Sequence, residues 1–195
     1  MTEKEKEMAK LKEDFLNFYK KDSLYQEGMH PVFGEGSLNT KIILIGEAPG
    51  YHESLTGHPF CGAAGKVLDE LLESIGIKRK EIYITNLIKL RPPNNREPQR
   101  EEIKNYGPYL EKQIEIVKPK VICTLGNYST RYIFEKYGLK DKLLGISKIH
   151  GKIFSISTLF GSVKIMPLYH PAVVTYNPNM KEILKEDFKI LKKFK

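Results

Sequence analysis

The chain has 195 residues, 41% of them hydrophobic, which is enough for one well-buried core and makes a single domain spanning 1–195 the expected organisation. No apolar run approaches the roughly 18 residues a spanning helix needs, and the opening MTEKEKEMAKLKEDF is charged throughout, unlike a secretory leader, so a cytoplasmic protein without a membrane partner is expected. Cys61 and Cys123 stand far apart and exclude a disulfide framework or a Cys-only metal site, while 32 Lys and Arg against 24 Asp and Glu give a formal charge of +8. That excess either attracts a polyanion or merely solvates a lysine-rich surface, so motifs must decide.

In chain order, Met8, Leu11, Phe15 and Phe18 recur at helical spacing between Glu3 and Tyr19, an amphipathic helix that, with the loop up to residue 32, should pack on the domain's edge. HPVFGEGSLNT then reads as loop and leads into KIILIG, a short apolar run with the profile of a buried strand. Similar runs follow at EIYITN, KVICTL and VKIMPLY. Between the first three lie helical patterns: Val67, Leu68, Leu71, Leu72 and Ile75 share one face, and Ile103, Tyr106, Leu110, Ile114 and Val117 share another. The lysine-rich C-terminus, with Ile183, Leu184, Phe188 and Leu191, reads as a terminal helix. Strands alternating with helices of this length predict a three-layer α/β/α domain around a central, mostly parallel, four-stranded sheet. In such folds ligands sit beyond the carboxyl ends of the strands, where GEAPG, ITN and YHP would converge.

Gly46-Glu47-Ala48-Pro49-Gly50 is a turn of small residues whose backbone amides can approach a ligand closely. Neither GxxxxGK[ST] nor GxGxxG is present, which removes nucleotide hydrolysis and dinucleotide binding. In TGHPFCGAAG, Phe60 is the only large apolar side chain among small ones; it either caps the core or stacks on a base. Taken together, GEAPG, TGHPFCGAAG, YITNLIKLRPPNNREP and a late YHP resemble the uracil-DNA glycosylase superfamily, and within it family four, from about Phe33 to Lys193.

The resemblance implies a basic groove for DNA carrying uracil, extrusion of that nucleotide into a pocket above the sheet, and hydrolysis of its glycosidic bond to leave an abasic site. Asn86 aligns with the family's base-reading asparagine, whose amide accepts from uracil N3–H and donates to O4. His170 aligns with the histidine that hydrogen-bonds O2 as charge gathers on the departing base. Glu47 is the carboxylate beside the leaving group, acting either on water as general base or on positive charge at the sugar. Ala48 stands where better-known members carry an aspartate, and its backbone and that of Glu47 offer donors to the base. Gly50 leaves open a space that other branches fill with a thymine-excluding tyrosine, so thymine must be rejected from elsewhere, with Glu47 the candidate. Pro171, Ala172, Val173 and Val174 resemble a loop that wedges the minor groove, with Val173 or Val174 as the wedge. Arg91, Asn95 and Arg96, with Lys148, His150 and Lys152, either contact phosphates or belong to plain solvated loops.

The sequence departs from family four in one respect. The four cysteines that hold an iron–sulfur cluster there are missing, with Leu90 and Tyr106 at two of their places and the segment from Lys20 to Tyr25 at the other two. No metal and no cofactor is expected; Tyr25, Leu90 and Tyr106 should fill the space as an apolar plug, and both cysteines should be packed thiols. The reading is thus a monomeric, nucleoid-associated repair enzyme. Excision of another deaminated base, hypoxanthine or xanthine, and a non-catalytic binder of lesion DNA are its alternatives.

Overall fold

The computed structural model describes residues 1–159 and 161–195. Helix α1 (Glu3–Phe18) begins with a capping box, Thr2 accepting from Glu5 N while the Glu5 carboxylate accepts from Thr2 N at 2.7 Å. The rest of the chain runs β1 (Glu35–Gly36), β2 (Ile42–Gly46), α2 (Tyr51–Thr56), α3 (Ala63–Ser74), β3 (Tyr83–Asn86), α4 (Arg100–Val117), β4 (Val121–Leu125), α5 (Asn127–Lys136), α6 (Ile146–Ile149), β5 (Phe154–Thr158), β6 (Gly161–Leu168), α7 (Val173–Tyr176) and α8 (Met180–Lys189).

One sheet has the order β1-β3-β2-β4-β6-β5. Its four central strands are the four expected from the sequence, all parallel, and antiparallel β1 and β5 extend them to six at the edges. Alternation along β2 sends Ile43 and Ile45 to one face, against Leu110, Ile114 and Phe134, and Ile42 and Leu44 to the other, against Leu68, Leu72 and Phe188. Both faces are therefore covered, which is why the parallel strands read as unbroken apolar runs rather than as alternating ones. Helix α1 lies along α4, with Phe15 buried between Phe33, Tyr106 and Tyr109 at ring separations of 5.2–6.1 Å. Among the described residues no helix is long and apolar enough to cross a membrane.

Parallel pairing brings β2, β3, β4 and β6 to a common carboxyl edge. Gly46 lies opposite Asn86, and Leu125 lies opposite Leu168. Ladder bonds continue past the strand ends, from Leu87 N to Gly46 O at 3.0 Å and from Ile88 N to Glu47 O at 2.9 Å, so the two loops leaving β2 and β3 are held side by side.

Candidate active site

Those loops and the one after β6 enclose a cavity of about 360 Å³ lined by Glu47, Ala48, Gly50, Glu53, Phe60 and Asn86, with Asn95, Arg96, His170 and Ala172. Six of these, Glu47, Ala48, Gly50, Phe60, Asn86 and His170, are the catalytic and base-pocket residues expected from the sequence, and folding brings them to one cavity. Glu53 was missed.

Asn86 closes the inner wall. It is only 2% exposed, and its Oδ1 has no hydrogen-bond partner among the described residues. An unpaired buried polar group costs about 1–3 kcal/mol, a cost that a ligand N–H in the cavity would relieve. Gly46 makes the arrangement possible, because a Cβ there would stand 2.2 Å from Asn86 Oδ1 and 2.7 Å from the Phe60 ring.

His170 forms the opposite wall, half-buried, its ring stacked on Phe60 at 5.6 Å between centroids. Burial draws its pKa down to about 4, against a smaller opposing pull from Glu53, so the imidazole is neutral at pH 7. Its Nδ1 accepts from Ala172 N at 3.2 Å, which leaves the proton on Nε2. The ring is thereby fixed as a neutral donor.

Phe60 has φ 50, a left-handed conformation that is unfavourable for a bulky residue. Three groups hold it there. Arg79 donates to Phe60 O at 3.1 Å and to Pro59 O, and is itself gripped by Glu35 and Asp69. Glu53 accepts from Cys61 N at 2.9 Å and Gly62 N at 2.8 Å. Gly65 allows the turn to close, since a Cβ there would sit 1.8 Å from Phe60 O. Arg79 and Glu53 are invisible in sequence, because an isolated Arg and an isolated Glu on helical segments carry no pattern that distinguishes them from solvated charges.

Glu47 has its carboxyl in the cavity. Burial pushes its pKa up to about 7, with a further contribution from the carboxylate of Glu97. A group poised there can exchange a proton near neutrality. Glu53 Oε2 lies 2.7 Å from where a side chain on Gly50 would begin, so this carboxylate occupies the space that Gly50 leaves open.

The residues expected on the DNA face divide. Lys148 and Lys152 are exposed. Arg91 donates to Asn95 Oδ1 at 2.7 Å and lies over the Tyr51 ring, while Arg96 is paired with both oxygens of the nearly buried Glu102. His150 is paired with Asp187 at 2.8 Å, which makes it a packing element rather than a free cation. Pro171 is buried, and Val173 and Val174 are half-buried against the core on the α3–α8 side. The large exposed side chain of that loop is Tyr176, 88% exposed.

A profile of the uracil DNA glycosylase superfamily matches residues 33–192. The chain belongs to this superfamily. It is 44% identical, over 93% of its length and 82% of the relative's, to a type-4 uracil-DNA glycosylase of Sulfurisphaera tokodaii. The corresponding values are 42%, 87% and 84% for a type-4 enzyme of Archaeoglobus fulgidus, and 39%, 84% and 82% for one of Thermotoga maritima.

The side chains where family four binds its cluster do not fit one. Leu90 and Tyr106 are buried, and around them Phe15, Phe18, Tyr19 and Tyr109 stack ring against ring, leaving no thiolate to ligate iron. Two expectations need correction here. Tyr25 is 39% exposed, its ring edge-on to Tyr19, and Leu24 takes the buried place. Cys61 is exposed beside Thr56 rather than packed, because Phe60 turns inward and the next residue must turn out; Cys123 is buried in β4 as expected.

Proposed function

We propose that this protein excises uracil from DNA as a monofunctional glycosylase, releasing free uracil and leaving an abasic site. The observation that carries this reading is the buried Oδ1 of Asn86, without a partner among the described residues, in the wall of a cavity whose other wall is a neutral Nε2–H imidazole. Flipping a nucleotide from the stack costs a few kcal/mol, least for a mispaired base such as uracil opposite guanine. Stacking on Phe60 returns about 1–3 kcal/mol of it. The Asn86 amide accepts from N3–H and donates to O4, a pairing that cytosine reverses. Glu53, in the space left by Gly50, stands where a 5-methyl group would press and so favours uracil over thymine; this role falls to Glu53 rather than to Glu47.

In the chemical step the C1′–N1 bond breaks and its electron pair leaves with the base. His170 donates Nε2–H to O2 as negative charge accumulates there, a stabilisation greater in the transition state than in the substrate. Glu47, when ionised, takes a proton from the water whose oxygen bonds to C1′. Lys148 and Lys152 meet backbone phosphates, and one copy of the chain supplies every group the reaction uses.

The test is alkali-revealed cleavage of end-labelled single- and double-stranded oligonucleotides with one uracil, at low, stated salt. Wild type should yield alkali-dependent cuts at uracil only, and Asn86→Ala and His170→Ala should each slow them sharply. Survival of uracil under all conditions would end this reading.

A further inference from the structure

Lys89 is completely buried, yet it does not line the cavity and, among the described residues, pairs with no carboxylate. Its Nζ lies 2.6 Å from the backbone oxygen of Asn86, 2.6 Å from Gln113 Oε1 and 2.7 Å from Thr85 Oγ1. Gln113 is locked in turn, its Nε2 donating to Phe33 O at 2.7 Å and to the Tyr83 hydroxyl at 3.1 Å, so its oxygen must face the lysine. Thr85 also donates to Phe33 O. The backbone of Lys89 itself accepts from Val32 N at 2.8 Å. One nitrogen therefore ties the end of β3 to helix α4 and, through Gln113 and Thr85, to the segment before β1.

Burial draws the Lys89 pKa well below the ordinary lysine range. The geometry works in either protonation state. As an ammonium it has three hydrogens for three oxygens. As a neutral amine it keeps its donors on Asn86 O and Gln113 Oε1 and accepts from the Thr85 hydroxyl, whose single proton then turns from Phe33 O to the amine. A buried amine is costly wherever it sits, and a Leu or Met would fill the same volume without leaving a polar group to satisfy. What the amine adds is a fixed direction for the Asn86 carbonyl, and hence for the side chain of that same residue.

We propose that Lys89 is a positioning residue for base recognition, clamping the backbone of Asn86 so that its amide meets the base edge in register. This rests on the reading of Asn86 as the residue that pairs with uracil. It predicts energetic coupling between the two positions, which a contribution to folding alone would not produce.

The experiment is a double-mutant cycle under single-turnover conditions with a uracil oligonucleotide, using wild type, Lys89→Met, Asn86→Ala and the double variant, each checked for folding by circular dichroism. Lys89→Met should slow excision on the order of 10- to 100-fold, because small misplacements of a contacting group cost that much, while binding of undamaged DNA is unchanged. In the Asn86→Ala background the same substitution should cost no more than about threefold, the additional clamp having nothing left to aim. Gln113→Leu, which removes an acceptor that aims Nζ and is not among the residues lining the cavity, should show a smaller loss with the same non-additivity and carries the test if Lys89→Met does not fold. A wild-type rate for the folded single variant, or an undiminished loss in the Asn86→Ala background, overturns the proposal and leaves uracil excision standing. Failure of wild type to excise uracil overturns both, and the wild-type reaction alone reveals it.

Discussion

Replacing Glu47 with Gln should stabilise the protein and disable it at once. The rise in the Glu47 pKa from its ordinary 4.5 to about 7 corresponds to ~3 kcal/mol at ~1.4 kcal/mol per tenfold change in proton affinity. The carboxyl is only half-buried, and solvent screening in the open cavity reduces this to ~1–2 kcal/mol. The sign follows from the direction of the shift. A folded state that binds the proton more tightly than the unfolded chain gains stability below the unfolded pKa and loses that gain as pH rises through the folded one. For Glu47 the loss spans pH 4.5 to about 7, and above it the ionised carboxylate is a net cost. Glutamine matches the protonated acid in shape and never ionises. Glu47→Gln should therefore melt ~3–6 °C above wild type near pH 8, and within about a degree of it near pH 4.5. Over the same range the wild-type single-turnover rate should climb through about 7 and level off, while the variant should be flat and ~10²–10⁴-fold slower. Thermal unfolding by circular dichroism and single-turnover excision at matched pH measure both. A variant no more stable than wild type near pH 8, or equally stabilised at both pH values, would refute the burial argument.

Three further outcomes follow from the same geometry. Arg79→Met removes the donors to Pro59 O and Phe60 O; Phe60 should then leave its left-handed conformation, a relief of ~1–3 kcal/mol, and uracil excision should fall at least about tenfold with undamaged-DNA binding intact, whereas a wild-type rate would show that Phe60 holds itself. Tyr176→Ala should slow excision from duplex more than from single strands, its exposed ring acting as the wedge, while Val173→Ala should lower the melting temperature without strand preference; the reverse pattern would make Val173 the wedge. Lys148→Gln with Lys152→Gln should flatten the dependence of log binding on log salt by about 0.9 per lost phosphate contact, and an unchanged slope would place the DNA elsewhere.

The parts of the fold that could be read in advance were those whose burial shows in composition. The four parallel strands are covered on both faces and so announce themselves as apolar runs. Helix α5 does not, because part of its inner face is polar: Thr130 is buried against Thr124 at 2.8 Å and Gly126 O at 2.6 Å, and such residues look like surface until their partners are known. The edge strand β1 spans two residues, Glu35 and Gly36, which is too short for any period to emerge. At the site, Glu47, Asn86 and His170 sit in recognisable peptides at strand ends. Their supports do not: Arg79 reaches Phe60 from nineteen residues away and Gln113 reaches Lys89 from twenty-four. Long-range polar contacts between single side chains leave no local pattern, and they fix the conformations on which the recognisable residues depend. Arg91, Arg96 and His150 show the converse, since each is basic on a loop and each is already engaged within the chain.

The aromatic plug and the polar clamp meet in adjacent residues. Leu90, buried at 3%, belongs to the same cluster as Phe15, Tyr106 and Leu24, and Lys89 beside it reaches Gln113 on the helix that also carries Tyr106. The segment after Asn86 is thus anchored twice against α4, once by apolar burial and once by hydrogen bonds, and α1 covers α4 through Phe15. Apolar burial resists displacement but has no preferred direction, so by itself it would hold this segment close to α4 without fixing how its carbonyls point. The hydrogen bonds supply that direction. Rings can therefore stand where a cluster would otherwise anchor the chain, because the orientation of Asn86 is set by Lys89 and Gln113, and neither residue belongs to the plug.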